Sequence, residues 1–189
     1  MTFTALLLAG GESRRMGADK ATLIVGGEPL WSRQLSLLRE LHPEALWVSA
    51  RNRPRWCPPD VEVVLDIPPS YGPLSGLSAA LRQLRTTHLI ALAVDLPRMT
   101  SAHLRHLQSL ASPGCGVIPR NEGWFEPLCA IYPREAIGLL DTSDGNSSMQ
   151  PCVQALVHNG LARPYDPTGF ERLLYHNANF PVDLDKTSS

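Results

Sequence analysis

A length of 189 residues and a formal net charge of -1 limit what this chain can be. The length suits one compact domain, residues 1–189, with a well-covered core, and it is too short for two ordinary domains. The near-neutral charge excludes a generally basic nucleic-acid-binding protein, so a phosphate-binding site must be a local cationic pocket.

The cysteines and the N-terminal segment indicate the cellular compartment. The four cysteines are widely spaced and form no CxxC pair, which favours neither a zinc site nor a disulfide framework. The apolar N-terminal stretch is short, is interrupted by glycines and charges, and lacks the features of a signal peptide. No segment is apolar for long enough to span a membrane. We therefore expect a cytoplasmic protein with reduced thiols and no membrane partner.

Short apolar runs alternate with helical patterns along much of the chain. The predicted strands are Phe3 to Leu8, Ala45 to Ser49, Val61 to Leu65, Leu89 to Val94, Cys115 to Ile118 and Leu128 to Tyr132. The predicted helices are Leu30 to Leu41, Leu74 to Leu84 and Ser101 to Leu110. This alternation predicts a mostly parallel sheet with helices on both faces. The last residues, 185–189, have the composition of a frayed tail.

A glycine-rich and basic segment follows the first predicted strand. It reads LAGGESRRMGADK, residues 8–20, in which Gly10 and Gly11 offer backbone amides to a ligand. Arg14, Arg15 and Lys20 add positive charge. The segment is neither a P-loop, because it lacks the GK[ST] ending, nor a GxGxxG fingerprint. Ligands of open parallel sheets bind beyond the carboxyl ends of the strands, so this is a candidate phosphate-binding loop, with an ordinary turn as the alternative.

Two aspartates also follow predicted strands. Asp95 ends the run 89–94, where a carboxylate can hold Mg²⁺ together with phosphate oxygens and water. The alternative is that Asp95 caps the helix that starts near Thr100. Asp66 ends the run 61–65, ahead of Gly72 and Pro73, which lead into a helix whose first turn can present amides to an anion.

The remaining polar and aromatic residues show weaker patterns. Near the end of the chain, Asn177 and Asn179 share one side of an extended segment, where their amides can read a base edge or brace a loop. No histidine pairs with a cysteine or serine as a nucleophile would require, so we predict structural roles for the six histidines, with a weak exception for His176. The four tryptophans follow no regular spacing, which predicts packing rather than base stacking.

Taken together, these stretches resemble the molybdenum cofactor guanylyltransferase (MobA-type) family of nucleotidyltransferases. LAGGESRRMGADK is similar to that family's LAGGxxxRMGxxK signature, and GPLSGL, VDLP, EPLCAIY and HNANFPVD follow in the family's order. The resemblance covers nearly the whole chain. It implies a Rossmann-like three-layer α/β/α fold with a mostly parallel sheet, of the nucleotide-diphosphosugar transferase type.

The resemblance also implies roles for individual residues. Asp95 would bind Mg²⁺ as well as nucleotide, Lys20 would contact the phosphates, and Asp66 would contact the nucleotide. Asn52 is the nearest candidate for an asparagine that follows the family's second strand. Arg15 joins Lys20 and Asp95 as a catalytic candidate. The whole nucleotide-binding set is Leu8, Ala9, Gly10, Gly11, Lys20, Asn52, Asp66 and Asp95.

The implied reaction is transfer of GMP from GTP to the terminal phosphate of molybdopterin or molybdenum-molybdopterin, with Mg²⁺ as cofactor and pyrophosphate as the second product. Proteins that mature molybdoenzymes are the implied protein partners. Relatives that use CTP tend to read LAAG where this chain reads LAGG, so Gly10 resembles the GTP users. The alternatives are a CTP-dependent cytidylyltransferase of the same cofactor and a non-catalytic nucleotide-binding accessory protein.

Two positions depart from the family pattern. The family usually has Asp-Thr-Pro where this chain has Asp95, Leu96 and Pro97, and Asn-Thr-Pro where it has Asn179, Phe180 and Pro181. Both changes replace a small hydroxyl with an apolar group. We expect them to affect the pterin side of the site and to leave the metal-binding carboxylate in place.

Overall fold

The computed structural model describes residues 1–9, 19–66, 72–140 and 149–177. Its strands are β1 (Phe3–Leu8), β2 (Ile24–Val25), β3 (Glu28–Pro29), β4 (Ala45–Ala50), β5 (Glu62–Leu65), β6 (His88–Ala93), β7 (Gly116–Asn121), β8 (Trp124–Phe125), β9 (Cys129–Pro133) and β10 (Ala162–Tyr165). Its α-helices are α1 (Leu30–Arg39), α2 (Pro73–Gln83), α3 (Ser101–Leu110), α4 (Ile137–Leu140) and α5 (Met149–His158). Short 3₁₀ turns lie at Lys20–Thr22, Arg134–Ala136 and Gly169–Tyr175.

Eight strands of the described ranges form one mixed sheet in the order β10-β7-β9-β6-β1-β4-β5, with β8 paired to the end of β7. β1 runs parallel to β4 and β6, β4 runs parallel to β5, and β7 runs parallel to β10. β9 is antiparallel to both of its neighbours, β6 and β7. The parallel strands therefore end at one edge of the sheet, termed the carboxyl edge, and β9 begins there.

Helices cover both faces of the sheet. On the face covered by α1, α3 and the 169–175 turn, the core includes Leu7 and Leu35. On the face covered by α2, α4 and α5, the core includes Leu6 and Leu77. Consecutive residues of β1 thus enter opposite cores, which explains why a strand buried on both faces reads as an unbroken apolar run. We call these two sides the α1 face and the α2 face.

This architecture confirms the predicted fold class, a three-layer α/β/α fold with a mostly parallel sheet. All six predicted strands and all three predicted helices are present, with slightly shifted ends. The prediction missed β10 because this edge strand exposes Arg163 and Pro164 and so lacks an apolar run. The predicted tail, 185–189, lies outside the described residues. No helix in the described part of the chain is long and apolar enough to cross a bilayer.

Candidate active site

Lys20 and Asp95 come together at the carboxyl edge of the sheet. Asp95 follows β6, and Lys20 lies in the 3₁₀ turn that precedes β2. Lys20 Nζ donates to Asp95 Oδ2 across 3.3 Å, and the two side chains are 26% and 22% exposed. Because an ion pair open to water is weak, both charges can respond to a bound ligand. The structure thus unites two residues that the sequence predicted for one site.

Asp95 does not cap the helix that follows it. Thr100 is the N-cap residue of α3, and its hydroxyl accepts from the backbone N–H of His103 at 3.2 Å. The capping alternative for Asp95 is therefore wrong. Within the described ranges, Lys20 is the group that bonds to the Asp95 carboxylate.

Lys20 is positioned by a braced turn. Asp19 Oδ1 accepts from the Ala21 N–H at 3.0 Å and so starts the 3₁₀ turn. Asp19 Oδ2 accepts at 2.8 Å from the indole N–H of Trp56, whose ring stacks on Trp31 with 5.4 Å between centroids. The loop after β4 and helix α1 therefore both support the turn that carries Lys20.

Two side chains of α1 hold the backbone that carries Asp95. Buried Gln34 donates from Nε2 to the Leu96 carbonyl at 2.7 Å, and Arg33 donates from Nε to the Pro97 carbonyl at 2.9 Å. Leu96, which stands where the family has threonine, buries its side chain in the core of the α1 face. Neither anchor is predicted from the sequence, because a polar residue within an amphipathic helix gives no sign of a partner 62 or 64 positions away.

We expect Gln34→Leu to slow the nucleotidyl transfer that the sequence resemblance implies more than it weakens the fold. One buried hydrogen bond is lost while the Leu96 carbonyl keeps a second bond from the backbone, so the free energy of unfolding should fall by only about 1 kcal/mol. A displaced Asp95 should lower the rate by about tenfold. Urea unfolding and pyrophosphate release measure the two effects. Gln83→Leu, which removes a bond within α2, is the control. Full activity in Gln34→Leu would contradict the anchoring role.

Asp66 and Ser49 form a second polar group at the carboxyl edge. Buried Ser49 donates from Oγ to Asp66 Oδ1 at 3.1 Å, and the Asp66 N–H donates to the Ala50 carbonyl at 3.2 Å. Helix α2 packs closely on this pair, because a Cβ placed on Gly76 would lie 2.0 Å from Ser49 Oγ and 3.0 Å from Asp66 Oδ1. Gly76, the second glycine of GPLSGL, is therefore required for the close approach of α2 to Ser49 and Asp66. Nothing in the sequence identifies Ser49 as the neighbour of Gly76.

The other predicted nucleotide-binding residues lie at this edge or outside the described ranges. Leu8 ends β1, and the Ala9 N–H donates to the Ser49 carbonyl at 3.1 Å. Asn52 is exposed in the bend that follows β4. These positions suit a nucleotide site, and the roles of the three residues stay predictions. The residues of interest that lie outside the described ranges are Gly10, Gly11, Arg14, Arg15 and Asn179.

A short hairpin, β7 to β8, projects from the carboxyl edge. Its turn residues Glu122 and Gly123 have φ of 52° and 87°, the left-handed pair of a type I′ turn. Gln150 of α5 fixes β8 by accepting from the Phe125 N–H at 3.3 Å and donating to its carbonyl at 2.9 Å. Trp124 is 69% exposed, so the predicted packing role is wrong for this tryptophan.

Glu126 is a partly buried carboxylate just after β8. Its backbone N–H donates to the Pro119 carbonyl at 2.8 Å, which continues the ladder with β7. Burial raises the pKa of Glu126 from 4.5 to about 7. In the described part of the chain, no group donates a hydrogen bond to this carboxylate, so the described residues do not compensate for its desolvation.

We expect Glu126→Gln to stabilise the protein at alkaline pH. Folding raises the pKa of Glu126, so between 4.5 and about 7 the folded state keeps a proton that the unfolded state has released, and stability falls as the pH rises through that window. The neutral amide of Glu126→Gln removes this loss of stability. The free energy of unfolding should therefore rise by about 1–3 kcal/mol at a pH of about 8 and change little near a pH of about 4. Urea unfolding at both pH values tests this, with Glu122→Gln on the exposed turn as the control. Identical pH dependence in wild type and Glu126→Gln would refute it.

A buried histidine fixes the 169–175 turn beside this hairpin. His103 Nε2 lies 2.6 Å from the Tyr175 hydroxyl, and His103 Nδ1 lies 3.6 Å from Glu171 Oε1. Burial lowers the pKa of His103, so we assign a neutral ring that accepts at Nε2 and faces Glu171 with Nδ1–H. Asn121 adds a bond from Nδ2 to the Arg172 carbonyl at 3.3 Å. These contacts agree with the structural role predicted for His103.

The donor chemistry at Asp95 fits a hard cation such as Mg²⁺. Carboxylate oxygens are the ligands that Mg²⁺ prefers, and Oδ1 of Asp95 has no hydrogen bond within the described ranges. In the same ranges, no three or more His, Cys, Asp or Glu side chains are grouped to hold a metal. A cation at Asp95 would therefore take most of its ligands from phosphate oxygens and water.

The place of this site in the fold defines the class of protein. In open α/β sheets, ligands bind at the carboxyl edge. Here that edge carries the Lys20 ammonium group, the carboxylates of Asp95 and Asp66, and the closely packed first turns of α2. With the family match that follows, the class is that of α/β nucleotidyltransferases. The MobA-like NTP transferase domain matches residues 5–160, and the chain belongs to this family.

Individual relatives agree with this assignment and confirm the resemblance inferred from the sequence. The chain is 38% identical over 185 residues to the "Probable molybdenum cofactor guanylyltransferase" of Opitutus terrae, which covers 95% of this chain and 92% of that protein. A nucleotidyl transferase from Methanothermobacter has a TM-score of 0.77 at 18% identity, covering 98% of this chain and 95% of that one.

A second solved structure gives a similar result. The molybdopterin-guanine dinucleotide biosynthesis protein A of Archaeoglobus fulgidus has a TM-score of 0.71 at 21% identity, covering 97% of this chain and 95% of that one. Because the identities of both structures are low, these two likenesses concern the fold.

Proposed function

We propose that this protein transfers GMP from GTP to the terminal phosphate of molybdopterin, with or without its molybdenum, and releases pyrophosphate. Membership of the MobA-like family and the extensive identity to a relative with a guanylyltransferase name support this activity. Within the site, the observation that carries the proposal is the Lys20–Asp95 pair at the carboxyl edge. The reaction is a step of molybdenum cofactor biosynthesis, carried by one nucleotidyltransferase domain.

The chemistry is a displacement between two anions. An oxygen of the acceptor phosphate attacks the α-phosphorus of GTP, a new P–O bond forms, and the bond from that phosphorus to the bridging oxygen of the β-phosphate breaks. The protein must therefore neutralise charge and align the reactants, and it needs no covalent nucleophile. Lys20 neutralises phosphate charge, with Arg15 as the second candidate. When bound at Asp95, Mg²⁺ would supply further positive charge to the nucleotide phosphates.

The nucleotide is proposed to lie over the ends of β1, β4 and β5. Leu8, Ala9 and Gly10 are the proposed contacts of its base and ribose, and Gly11 is a further candidate contact of the nucleotide. Asp66 contacts the nucleotide, and its hydrogen bond from Ser49 keeps the carboxylate in one orientation. Asn52, exposed at the same edge, is the remaining candidate contact.

We also propose that the protein works in the cytoplasm with molybdoenzyme maturation proteins as partners. The four cysteines are free thiols, which agrees with a reducing compartment. The partners follow from the nature of the product, a cofactor that other proteins must receive.

The test is Mg²⁺-dependent pyrophosphate release with molybdopterin supplied. Release with GTP only when the pterin is present is the expected result. Preference for CTP would show the cytidylyltransferase activity instead. Tight GTP binding with no release would indicate a nucleotide-binding accessory protein. Repeating the GTP and CTP reactions without Mg²⁺ tests whether the metal is required.

A further inference from the structure

Two side chains that the proposed mechanism does not use share one side of the β7–β8 hairpin. Phe125 packs against the core of the α2 face. Neighbouring residues of a strand point to opposite sides, so Trp124 and Glu126 are directed toward the α1 face. The position of Glu126 agrees, because burial and the nearby Glu126 carboxylate both raise the pKa of Cys129, a residue of the α1-face core.

Both side chains are placed unfavourably for a protein without a ligand. Trp124 leaves 69% of its surface in water, although the hairpin that carries it is fixed by Gln150 and by a tight turn. Glu126 is withdrawn from water with no donor among the described groups. A half-buried carboxylate with no donor among the described groups, two residues from an exposed indole on a fixed hairpin, is suited to binding a flat ring that has N–H donors on its edge.

The segment that follows the hairpin adjoins the end of β6, and the hairpin lies away from the proposed nucleotide site. The Ala93 N–H donates to the Leu128 carbonyl at 2.7 Å, so the chain leading from Glu126 into β9 adjoins the end of β6 that leads to Asp95. The proposed nucleotide contacts belong to β1, β4 and β5, on the other side of β6. Displacement at phosphorus places the attacking and leaving groups in line, so the acceptor must approach opposite the pyrophosphate. The hairpin lies on the side of β6 opposite the proposed nucleotide contacts, which suits the approach of the acceptor.

The chemistry of a pterin matches this pair of side chains. Its 2-amino-4-oxopyrimidine edge carries two neighbouring N–H donors, which a carboxylate accepts with its two oxygens, and charge-assisted pairs of this kind are strong. Its fused rings can stack on an indole. Residues two apart on a strand are separated by about 6.6 Å, roughly the length of a fused two-ring heterocycle. Guanine has the same donor edge, and the position of the hairpin favours the pterin.

We propose that Glu126 and Trp124 form the acceptor subsite: the Glu126 carboxylate accepts hydrogen bonds from the two N–H groups of the pterin edge, and the Trp124 indole stacks on the pterin ring. This inference rests on the proposed function and extends it to the recognition of the second substrate. In this proposal the hairpin binds the pterin ring, and Lys20 and Asp95 act on the phosphate groups.

The first experiment measures binding of two matched probes, 6-hydroxymethylpterin monophosphate and the corresponding lumazine monophosphate, which carries an oxo group in place of the 2-amino group. Wild type should bind the pterin about tenfold to a hundredfold more tightly, since hydrogen bonds to charged groups have this effect. Glu126→Gln should lose most of that preference, and Glu122→Gln, on the exposed turn of the same hairpin, should keep it. Equal affinity of wild type for the two probes would overturn the proposal.

The second experiment separates stacking from edge recognition and pterin from guanine. Trp124→Ala should lower the affinity for both probes by about tenfold, because stacking on the ring does not depend on the groups at its edge. Trp124→Phe should restore most of the affinity. GTP affinity should be unchanged in every hairpin variant. If Glu126→Gln lowers the affinity for GTP and leaves the preference for the pterin probe unchanged, Glu126 binds the guanine base and the proposal is wrong.

These measurements also separate this inference from the proposed function. If wild type shows the Glu126-dependent preference for the pterin probe but releases no pyrophosphate with GTP, the subsite stands and the transfer reaction fails. If wild type turns over and Glu126→Gln has an unchanged KM for molybdopterin, the transfer reaction stands and the subsite fails.

Discussion

Asp95→Asn is expected to lower the rate of pyrophosphate release by about a hundredfold or more. The amide keeps the shape of the carboxylate, but it removes the negative charge that pairs with Lys20 across 3.3 Å and that a bound Mg²⁺ requires. Lys20→Met should have an effect of the same order, since it removes the cation proposed for the phosphates. Steady-state pyrophosphate release at saturating GTP and acceptor measures both variants.

A matched control comes from a surface ion pair. Arg39 and Asp60 lie 3.1 Å apart and are well exposed, so Asp60→Asn removes the same charge from a pair of little energetic value. Its rate should equal that of wild type. Raising the Mg²⁺ concentration should rescue Asp95→Asn in part and Lys20→Met hardly at all. Turnover of Asp95→Asn at the wild-type rate, with unchanged Mg²⁺ dependence, would show that Asp95 is not the metal ligand.

Gly76→Ala is expected to lower both the free energy of unfolding and the affinity for GTP. The added methyl group would lie 2.0 Å from Ser49 Oγ, so either α2 moves away from the sheet or Ser49 rotates and releases Asp66. Overpacking of this kind costs about 1–3 kcal/mol. Because the displaced group supports a proposed nucleotide contact, GTP affinity should fall by about tenfold. Urea unfolding and titration calorimetry with GTP measure the two effects.

A second substitution distinguishes the contact from a general effect of alanine. Ser49→Ala combined with Gly76→Ala removes the closest clash, so stability should recover in part while GTP affinity stays low, because the hydrogen bond from Ser49 to Asp66 is still missing. Gly138→Ala is the control, since nothing lies within 4 Å of a Cβ at that helical position, and there alanine should stabilise slightly. Normal GTP affinity in Gly76→Ala would mean that the Ser49–Asp66 bond does not serve the nucleotide.

The sequence predicted the central part of the fold because burial on both faces leaves a clear signal. β1 and β6 are largely apolar runs, so the sequence predicts Leu8, at the end of β1, and Asp95, just after β6, at one edge of the sheet. The antiparallel direction of β9 was not predictable in the same way. The apolar pattern of β9 fits a buried strand whether it runs parallel or antiparallel to its neighbours. Only its pairing with β6 and β7 shows that it is antiparallel.

The supporting residues of the site could not be found from the sequence, because their partners are distant along the chain. Gln34 acts through a carbonyl 62 positions away, and a carbonyl belongs to the backbone and leaves no trace in the residue type. Ser49 and Gly76 matter because a helix and a strand approach closely, which no local pattern encodes. Packing is predicted for Trp124 because the four tryptophans follow no regular spacing, and its exposure reflects the position of the hairpin.

The reversed direction of β9 gives this scaffold a route to new acceptors. A strand parallel to its neighbours is reached from the far edge by a long crossover, whereas β9 is reached directly from the carboxyl edge through a hairpin of a few residues. The turn of this hairpin, residues 122–124, can therefore change in length and composition while the helices and the nucleotide-facing strands keep their places, because the bonds of Asn121, Phe125 and Leu128 lie outside it. Libraries confined to this hairpin are the natural starting point for directing the same nucleotidyl donor to a different phosphate.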